Sequence, residues 1–197
     1  MKKRTNYVIR RREQLEALRS ARRQEIVDVL VEMGKVSIAE LAAAMGRPAD
    51  TFYFHLRALT KAGLVRRAGE RRRGGRAEAL FQAVATELRL RYEPRDAANR
   101  RAVPAIVQSM LRLGARDFRR AFESPNVVLS GAHRELWALR KTGRLSPAKV
   151  AAVNRSIHRL VRAVSAPRGR GRLYAITILL TPVNGGRRSQ RFQGATR

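Results

Sequence analysis

The sequence predicts an α+β fold, and three observations point to it. Before residue 63, apolar residues recur at helical spacing in three successive segments, at i, i+3, i+4 and i+7 in the first two and at i, i+4 and i+7 in the third. A glycine- and arginine-rich stretch between two alternating segments follows and is typical of a hairpin. The rest of the chain combines helical stripes with strand-like runs, and 197 residues suffice for one large domain or two small ones.

The first twelve residues are predicted to form a basic arm that is mobile in the free protein, as chain termini often are. A helical pattern begins at Glu13. Leu15 and Leu18 indicate a short helix there. The apolar face of the longer helix that follows consists of Ile26, Val29, Leu30 and Met33. Gly34 is a natural end for it, because glycine adopts positive φ at little cost.

Two further helices are predicted from their start signals. Ser37 and Glu40 have the S-x-x-E form of a capping box. Pro48 fits the first turn of the next helix, where a missing amide hydrogen is tolerated. The apolar faces are Ile38, Leu41, Ala42 and Met45 in one helix, and Phe52, Leu56 and Leu59 in the other. Gly46 and Gly63 end the two helices.

The hairpin is predicted from strands at Leu64–Arg67 and Arg76–Val84, joined by turn residues 69–75. Three short helices bury their apolar faces only by packing together, and the tight turn at Gly46 sets the last two at a steep angle. Helices and hairpin together predict a winged helix-turn-helix domain over residues 13–92. In this interpretation, Pro48–Ala62 enters the major groove of DNA.

The charge distribution favours a polyanionic partner, either nucleic acid or an anionic membrane. Forty-three Lys and Arg against fifteen Asp and Glu leave a net charge of +28. Residues 25–65 are nearly neutral, whereas the hairpin and both ends of the chain are basic. This pattern suits phosphate contacts on either side of a more selective reading element. The longest apolar run, Leu173–Leu180, is too short to span a bilayer, and no secretory signal is present, so we expect a cytoplasmic protein without membrane contacts.

Residues 13–84 resemble the ArsR-like winged-helix regulators of bacteria. The matching residues are Arg23–Val27, Ser37–Leu41, Phe52–Leu59 and Ala62–Val65, and the most specific part is the H-L-x-x-L-x-x-A-G-L string that begins at His55. The resemblance implies DNA binding and a homodimer. The Y-x-H-L-R-A-L variety is similar to regulators with an additional C-terminal domain and no known metal site. Metal-sensing relatives carry cysteines in the recognition region, and this chain has none.

The candidate DNA contacts on the recognition helix are Arg47, Asp50, Thr51, Tyr53, Phe54, His55, Arg57 and Lys61. Arg47 suits a guanine edge or a phosphate, Asp50 a cytosine amino group and Thr51 a thymine methyl. Asp50 fits equally well as an anion in the first helical turn. Phe54 either contacts bases or packs against the hairpin. Tyr53 is either exposed or half-buried with its hydroxyl on a phosphate, and the resemblance implies that His55 faces a phosphate.

Four further candidate contacts lie in the hairpin: Arg71, Arg72, Arg73 and Arg76. Arginine at a hairpin tip can enter a narrow minor groove or lie along phosphates. The alternative is a solvated, charged turn. The basic arm, at Arg10–Arg12, is expected to add affinity without sequence preference by releasing counterions. The basic tail, with Arg187, Arg188 and Arg191, either does the same or stays solvated.

The C-terminal part, residues 93–184, is predicted to be an α+β dimerisation or effector domain. A helix is expected over Asn99–Phe122, and a second one begins at Ser146-Pro147. Strands are expected at Leu136–Arg140 and, fully buried, at Arg172–Thr181. The apolar face of the first helix is predicted to be Val103, Ile106, Val107, Met110, Gly114, Phe118 and Phe122. Residues 185–197 are predicted to be a disordered basic tail.

The sequence shows no pattern for catalysis, and no metal or cofactor is expected. No cysteine is present, and His133 and His158 lack a second ligand at metal spacing. We therefore expect a transcriptional regulator rather than an enzyme, with repression as the commoner mode among similar proteins. Its expected partners are double-stranded DNA, a second copy of the chain and a small-molecule effector that the sequence does not identify. The alternative is an architectural, nucleoid-type protein that binds DNA with little sequence preference.

Overall fold

A computed structural model describes residues 4–165 and 171–183. The described residues contain six helices and five strands. The helices are α1 (Arg12–Leu18), α2 (Ala21–Met33), α3 (Ile38–Met45), α4 (Asp50–Lys61), α5 (Ala97–Phe122) and α6 (Pro147–Val164). The strands are β1 (Arg4–Ile9), β2 (Val36–Ser37), β3 (Val65–Arg73), β4 (Arg76–Ala83) and β5 (Ala85–Leu90). The mixed helix-and-sheet fold was predicted.

Helices α2, α3 and α4 pack around one core, as the helical spacing predicts. Its fully buried members include Ile26, Leu30, Leu41, Phe52 and Leu59. The capping box at the start of α3 forms as predicted: the amide of Glu40 donates to Ser37 Oγ, and the amide of Ser37 donates to the Glu40 carboxylate at 2.9 Å. Gly46 ends α3 with φ +59° and allows the sharp turn into α4.

Helix α4 starts two residues later than predicted. It begins at Asp50, and Pro48 lies in the preceding turn, where its carbonyl accepts a hydrogen bond from the Thr51 hydroxyl at 2.7 Å. This hydrogen bond links the first turn of α4 to the preceding turn that contains Pro48. The predicted ending is correct, because Gly63 follows the helix with φ +73°.

Strands β2, β4 and β3 form an antiparallel sheet in that order. The hairpin turn is shorter than predicted, because β3 continues to Arg73 and only Gly74 and Gly75, both with positive φ, remain between the strands. Arg71–Arg73 therefore lie in a strand rather than in a flexible loop. A register irregularity between Arg67 and Glu70 absorbs the glycine at position 69.

The expectation of a mobile N-terminal arm is wrong for residues 4–9. They form β1, which pairs in parallel with β5, for example Asn6 with Glu87 and Ile9 with Leu90. Ile9 is only 2% exposed and joins the core. The reason is that β1 pairs with a strand about eighty residues later in the chain. The local sequence pattern of residues 4–9 does not predict that pairing.

Helix α5 begins two residues earlier than predicted, at Ala97, and ends at Phe122 as predicted. Of its predicted apolar face, only Ile106 is buried, and Val103 is partly buried against the core. The buried residues are Asn99, Ala102, Ile106, Ser109 and Leu113. Two polar residues obscured this face in the sequence. Asn99 is satisfied where it lies, because it donates to the Arg91 carbonyl and accepts from the Glu93 amide, both at 2.8 Å. Buried Gln24 of α2 donates to the Ile106 carbonyl at 3.1 Å and fastens α5 to the helical core.

The predicted strands of the C-terminal part are absent from the described residues. Residues 91–165 and 171–183 contain α5 and α6 but no strand, so the α+β prediction for this part is wrong there. Leu136–Arg140 and Arg172–Thr181 are irregular, and Ile176 of the supposedly buried strand is 49% exposed. The start of α6 was predicted correctly, with Ser146 Oγ accepting from the Lys149 amide. The expected tail at 185–197 lies outside the described residues.

No helix in the described residues is long and apolar enough to cross a membrane. The boundaries between a DNA-binding part at 13–92 and a C-terminal part at 93–184 stay predictions. Residues from both sides of position 93 share one core, because Ala102 and Ile106 pack with the buried residues of α1 and α2.

Candidate nucleic-acid interface

The outer surface of α4 presents side chains that can contact a ligand. Phe52, Leu56 and Leu59 face inward, which leaves the other side of the helix open. The exposed candidate residues are Asp50, Thr51, Tyr53, Phe54, Arg57 and Lys61. Tyr53 is 62% exposed and Phe54 is 70% exposed. The interpretations of Tyr53 as half-buried and of Phe54 as packed on the hairpin are therefore wrong, because neither ring is covered.

Asp50 and Thr51 are held by the first turn of α4. The Thr51 amide donates to Asp50 Oδ1 at 2.9 Å, and the Thr51 hydroxyl donates to the Pro48 carbonyl. The geometry supports the interpretation of Asp50 as a first-turn anion. Because the Thr51 hydroxyl donates its proton to the Pro48 carbonyl, Thr51 presents mainly its methyl group to a ligand. A methyl group suits an apolar contact such as one with a thymine methyl.

His55 lies at the edge of this surface and is half-buried. Burial, and then the charges of Arg22 and Arg23, lower the pKa of His55 below its ordinary value of 6.5. The ring is therefore mainly neutral near pH 7. Its ring centroid lies 5.5 Å from that of Phe54 in an edge-to-face arrangement. A neutral ring can still donate one hydrogen bond to a phosphate, so the role that the resemblance implies stays a prediction.

Arg47 is separated from the exposed residues of α4 by an ion pair. Its guanidinium lies 3.4 Å from Glu25 of α2, and its side chain is only 19% exposed. Glu25 also accepts from Arg116 of α5 at 2.8 Å and 3.1 Å. Arg47 therefore helps to connect the turn before α4 with α2 and α5. Sequence inspection missed this cluster, because Glu25 and Arg116 are 91 residues apart and carry no shared pattern.

The hairpin arginines divide into one that is paired and three that are not. Arg71 lies 2.8 Å from Glu40 of α3 and 3.4 Å from Glu78 of β4. Arg72, Arg73 and Arg76 are exposed and have no ion-pair partner among the described residues. Arg71 therefore fastens the hairpin to α3, whereas the other three are open to an anionic ligand.

Glu40 serves both the helix and the hairpin, and two variants separate these roles. The Ser37 amide, and then Arg71, hold the pKa of the Glu40 carboxyl below its ordinary value of 4.5. We expect Glu40→Ala to destabilise the fold by about 1 kcal/mol, because the helix start and the Arg71 pair are both lost. Glu40→Gln should cost less than half of that, because glutamine also completes a capping box. Urea denaturation followed by circular dichroism measures the difference.

The pH dependence of the free energy of unfolding tests whether the negative charge of Glu40 stabilises the fold. The lowered pKa means that the stabilising effect of the carboxylate is present above pH 4.5 and is lost as the pH falls through the folded-state value. Wild type and Glu40→Gln should therefore converge in stability at low pH. A constant difference down to pH 3 would contradict the role of the charge.

A comparison with protein-family models identifies the domain that α2, α3 and α4 form. Residues 20–68 match the model of a helix-turn-helix domain. The match begins at Ser20, the residue before α2, and ends within β3, so it includes α2, α3 and α4 and covers about a quarter of the chain. No curated protein matches the chain.

The protein therefore contains a helix-turn-helix domain, which implies DNA binding and indicates a DNA-binding regulator. In such domains the second helix of the motif enters the major groove. Here that helix is α4, whose outer surface is uncovered. The individual contact residues stay predictions, as do the ArsR-like relationship, the homodimer and the effector.

Proposed function

We propose that the protein is a winged helix-turn-helix transcriptional regulator of the ArsR-like type that binds a pseudo-palindromic operator as a homodimer. Helix α4 lies in the major groove, and the β3–β4 hairpin, as the wing, lies on the adjacent minor groove or backbone. The observation that carries the proposal is the uncovered outer surface of α4, followed directly by a hairpin with three unpaired arginines. The first element suits base edges and the second suits phosphates.

The exposed residues of α4 have distinct roles in this proposal. Thr51 and Phe54 make apolar contacts with bases, since the Thr51 hydroxyl proton is engaged within the chain. Arg57 and Lys61 bind guanine edges or phosphates. Arg47 positions the turn before α4 through Glu25 and reaches DNA only if that ion pair opens.

The homodimer sets the form of the operator. Two α4 helices related by a two-fold axis read half-sites separated by about one helical turn, on the order of 10 base pairs or a multiple. The chain after residue 92 holds the two copies together and takes any small-molecule effector. Repression follows if the bound dimer covers a promoter.

The experiment that tests this function is the selection of bound sequences from a random DNA pool at near-physiological salt. An enriched inverted repeat, preferred over random DNA by roughly a thousandfold or more, is the expected result. Tight binding without enrichment that collapses as salt rises would overturn the operator and support the architectural alternative.

A base-contact variant sharpens this test. Thr51→Ala should relax the preference at one base pair of each half-site by about 1 kcal/mol or more, because one specific contact is lost. Thr60→Ala is the matched control: this threonine is also exposed on α4 but lies about 13 Å farther along the helix axis. The same loss of preference in both variants would show that Thr51 makes no particular base contact.

A further inference from the structure

The exposed apolar surface is concentrated in the C-terminal part of the chain. Of the twenty-two large apolar side chains that are exposed in the described residues, seventeen lie after residue 117. They include Phe122, Trp137 and Leu173, each more than 60% exposed. Exposed apolar surface beyond scattered single residues often marks an interaction site. Each of these seventeen side chains is at least 37% exposed, so within the described residues they lack a full covering layer.

The segment Arg172–Thr181 has the composition of a strand but no strand partner. It is rich in β-branched and aromatic residues, which favour sheets. Within the described residues, none of its backbone groups makes a backbone hydrogen bond. If the segment pairs as a strand, the alternation of side chains places Tyr174, Ile176, Ile178 and Leu180 on one face. A segment of this composition whose backbone groups are unpaired can pair with another strand.

Few contacts hold the segment to the rest of the described chain. Thr177 lies on α5 at Gly114, where its Oγ1 is 3.2 Å from the place that a Cβ on the glycine would occupy. Tyr174 donates a hydrogen bond to Glu135, and Arg172 pairs with the same carboxylate at 3.2 Å. Ile178 is partly buried. The other large apolar side chains of the segment, on both sets of alternating positions, are 46–66% exposed: Leu173, Tyr174, Ile176, Leu179 and Leu180.

Helix α6 also has an uncovered apolar face. All eighteen of its residues are described, and none is buried. Its apolar stripe consists of Val150, Val153, Ile157, Leu160, Val161 and Val164. Arg155, Arg159 and Arg162 lie on the opposite side of the helix. The stripe can therefore be buried while these three charges stay in water.

We propose that a second copy of the chain completes this layer: Arg172–Thr181 pairs in antiparallel register with the same segment of the other copy, and the α6 stripes cover the shared ribbon. The proposal rests on the homodimer of the proposed function and identifies its interface. The available area is sufficient. If half of the seventeen side chains each bury about 90 Å², near half of what an aromatic residue can bury, each copy contributes on the order of 800 Å². A standard stable interface needs about that much from each partner.

The absence of cysteine in the chain makes a direct test simple. One cysteine is introduced at a time at each position from 173 to 181, so that any disulfide must join two copies. In an antiparallel pair, opposite Cα atoms are about 4.5–5.5 Å apart, within disulfide range. We expect efficient cross-linking at the one or two positions nearest the two-fold axis and a steep fall on both sides. Glu32→Cys, exposed on α2, is the control for random collisions.

Two outcomes of the cross-linking would overturn the proposal. Yields no higher than in the Glu32→Cys control would show that the segments of two copies do not meet. Equal yields at every position would show contact without a defined register.

The role of α6 is tested by matched acidic substitutions on two sides of the helix. Val161→Asp places a charge in the apolar stripe, and we expect it to raise the dissociation constant of the dimer about 100-fold or more, measured by sedimentation. Ala151→Asp adds the same side chain away from the stripe and should change that constant less than about threefold. The proposal would be overturned if Val161→Asp and Ala151→Asp raised the dissociation constant equally. It would also be overturned if the wild-type chain were monomeric at about 10 μM. Retained helical circular dichroism checks that each variant folds.

DNA binding separates this inference from the proposed function. A cross-linked dimer that selects no inverted repeat keeps the interface and rejects the operator. An enriched inverted repeat together with no cross-linking above the Glu32→Cys control keeps the proposed function and rejects the interface.

Discussion

Replacing Phe52 by alanine should destabilise the protein by about 3–5 kcal/mol, the usual cost of removing a buried phenylalanine from a well-packed core. Phe52 is completely buried in α4 and packs in the core that α2, α3 and α4 share. A domain of this size has a free energy of unfolding of about 5–15 kcal/mol, so the loss is a large fraction of the total. Urea denaturation followed by circular dichroism measures it.

Phe54→Ala is the control, since it removes the same side chain two residues along the same helix. Phe54 is 70% exposed, so the substitution should change stability by less than about 0.5 kcal/mol. It should, however, weaken binding to the operator, because the exposed ring is lost from the contact surface. If both variants lost the same stability, the orientation of α4 described here would be wrong.

Replacing Arg72, Arg73 and Arg76 together by alanine should weaken binding to every DNA sequence alike. Each phosphate contact releases counterions and thereby adds about 0.9 to the magnitude of the slope of log affinity against log salt concentration. Three lost contacts should therefore lower that slope by about 2.7 and reduce affinity by two to three orders of magnitude near 0.1 M salt. Arg71 is left in place, because its pairs with Glu40 and Glu78 fasten the hairpin to the fold. Titrations at several salt concentrations measure both quantities.

A second triple variant controls for net charge. Arg155, Arg159 and Arg162 lie on the outer side of α6, and their replacement by alanine removes the same total charge. We expect this variant to keep most of the affinity and of the salt dependence. If the two triple variants behaved alike, the hairpin would contribute only to the general positive field of the protein, and its role as a wing would be rejected.

The sequence by itself determined the parts of the fold whose signals are local. The spacing of Phe52, Leu56 and Leu59 predicted which side of α4 is buried, because residues three and four apart share a helical face. Ser37 and Glu40 predicted the start of α3, since each satisfies the other's backbone amide within one turn. By elimination, the buried face also identified most of the exposed candidate contacts on α4.

Only the tertiary structure decided the features that depend on distant residues. β1 is ordered because it pairs with β5, and Arg47 turns away from the surface of α4 because Glu25 attracts it. The face of α5 was mistaken because hydrogen bonds to the surrounding backbone permit Asn99 to be buried. Arg172–Thr181 has strand composition, but composition does not supply a partner for its backbone. Periodicity predicts which side of a helix or strand is buried. The segment that it packs against or pairs with often lies far away in the sequence and is not predicted by periodicity.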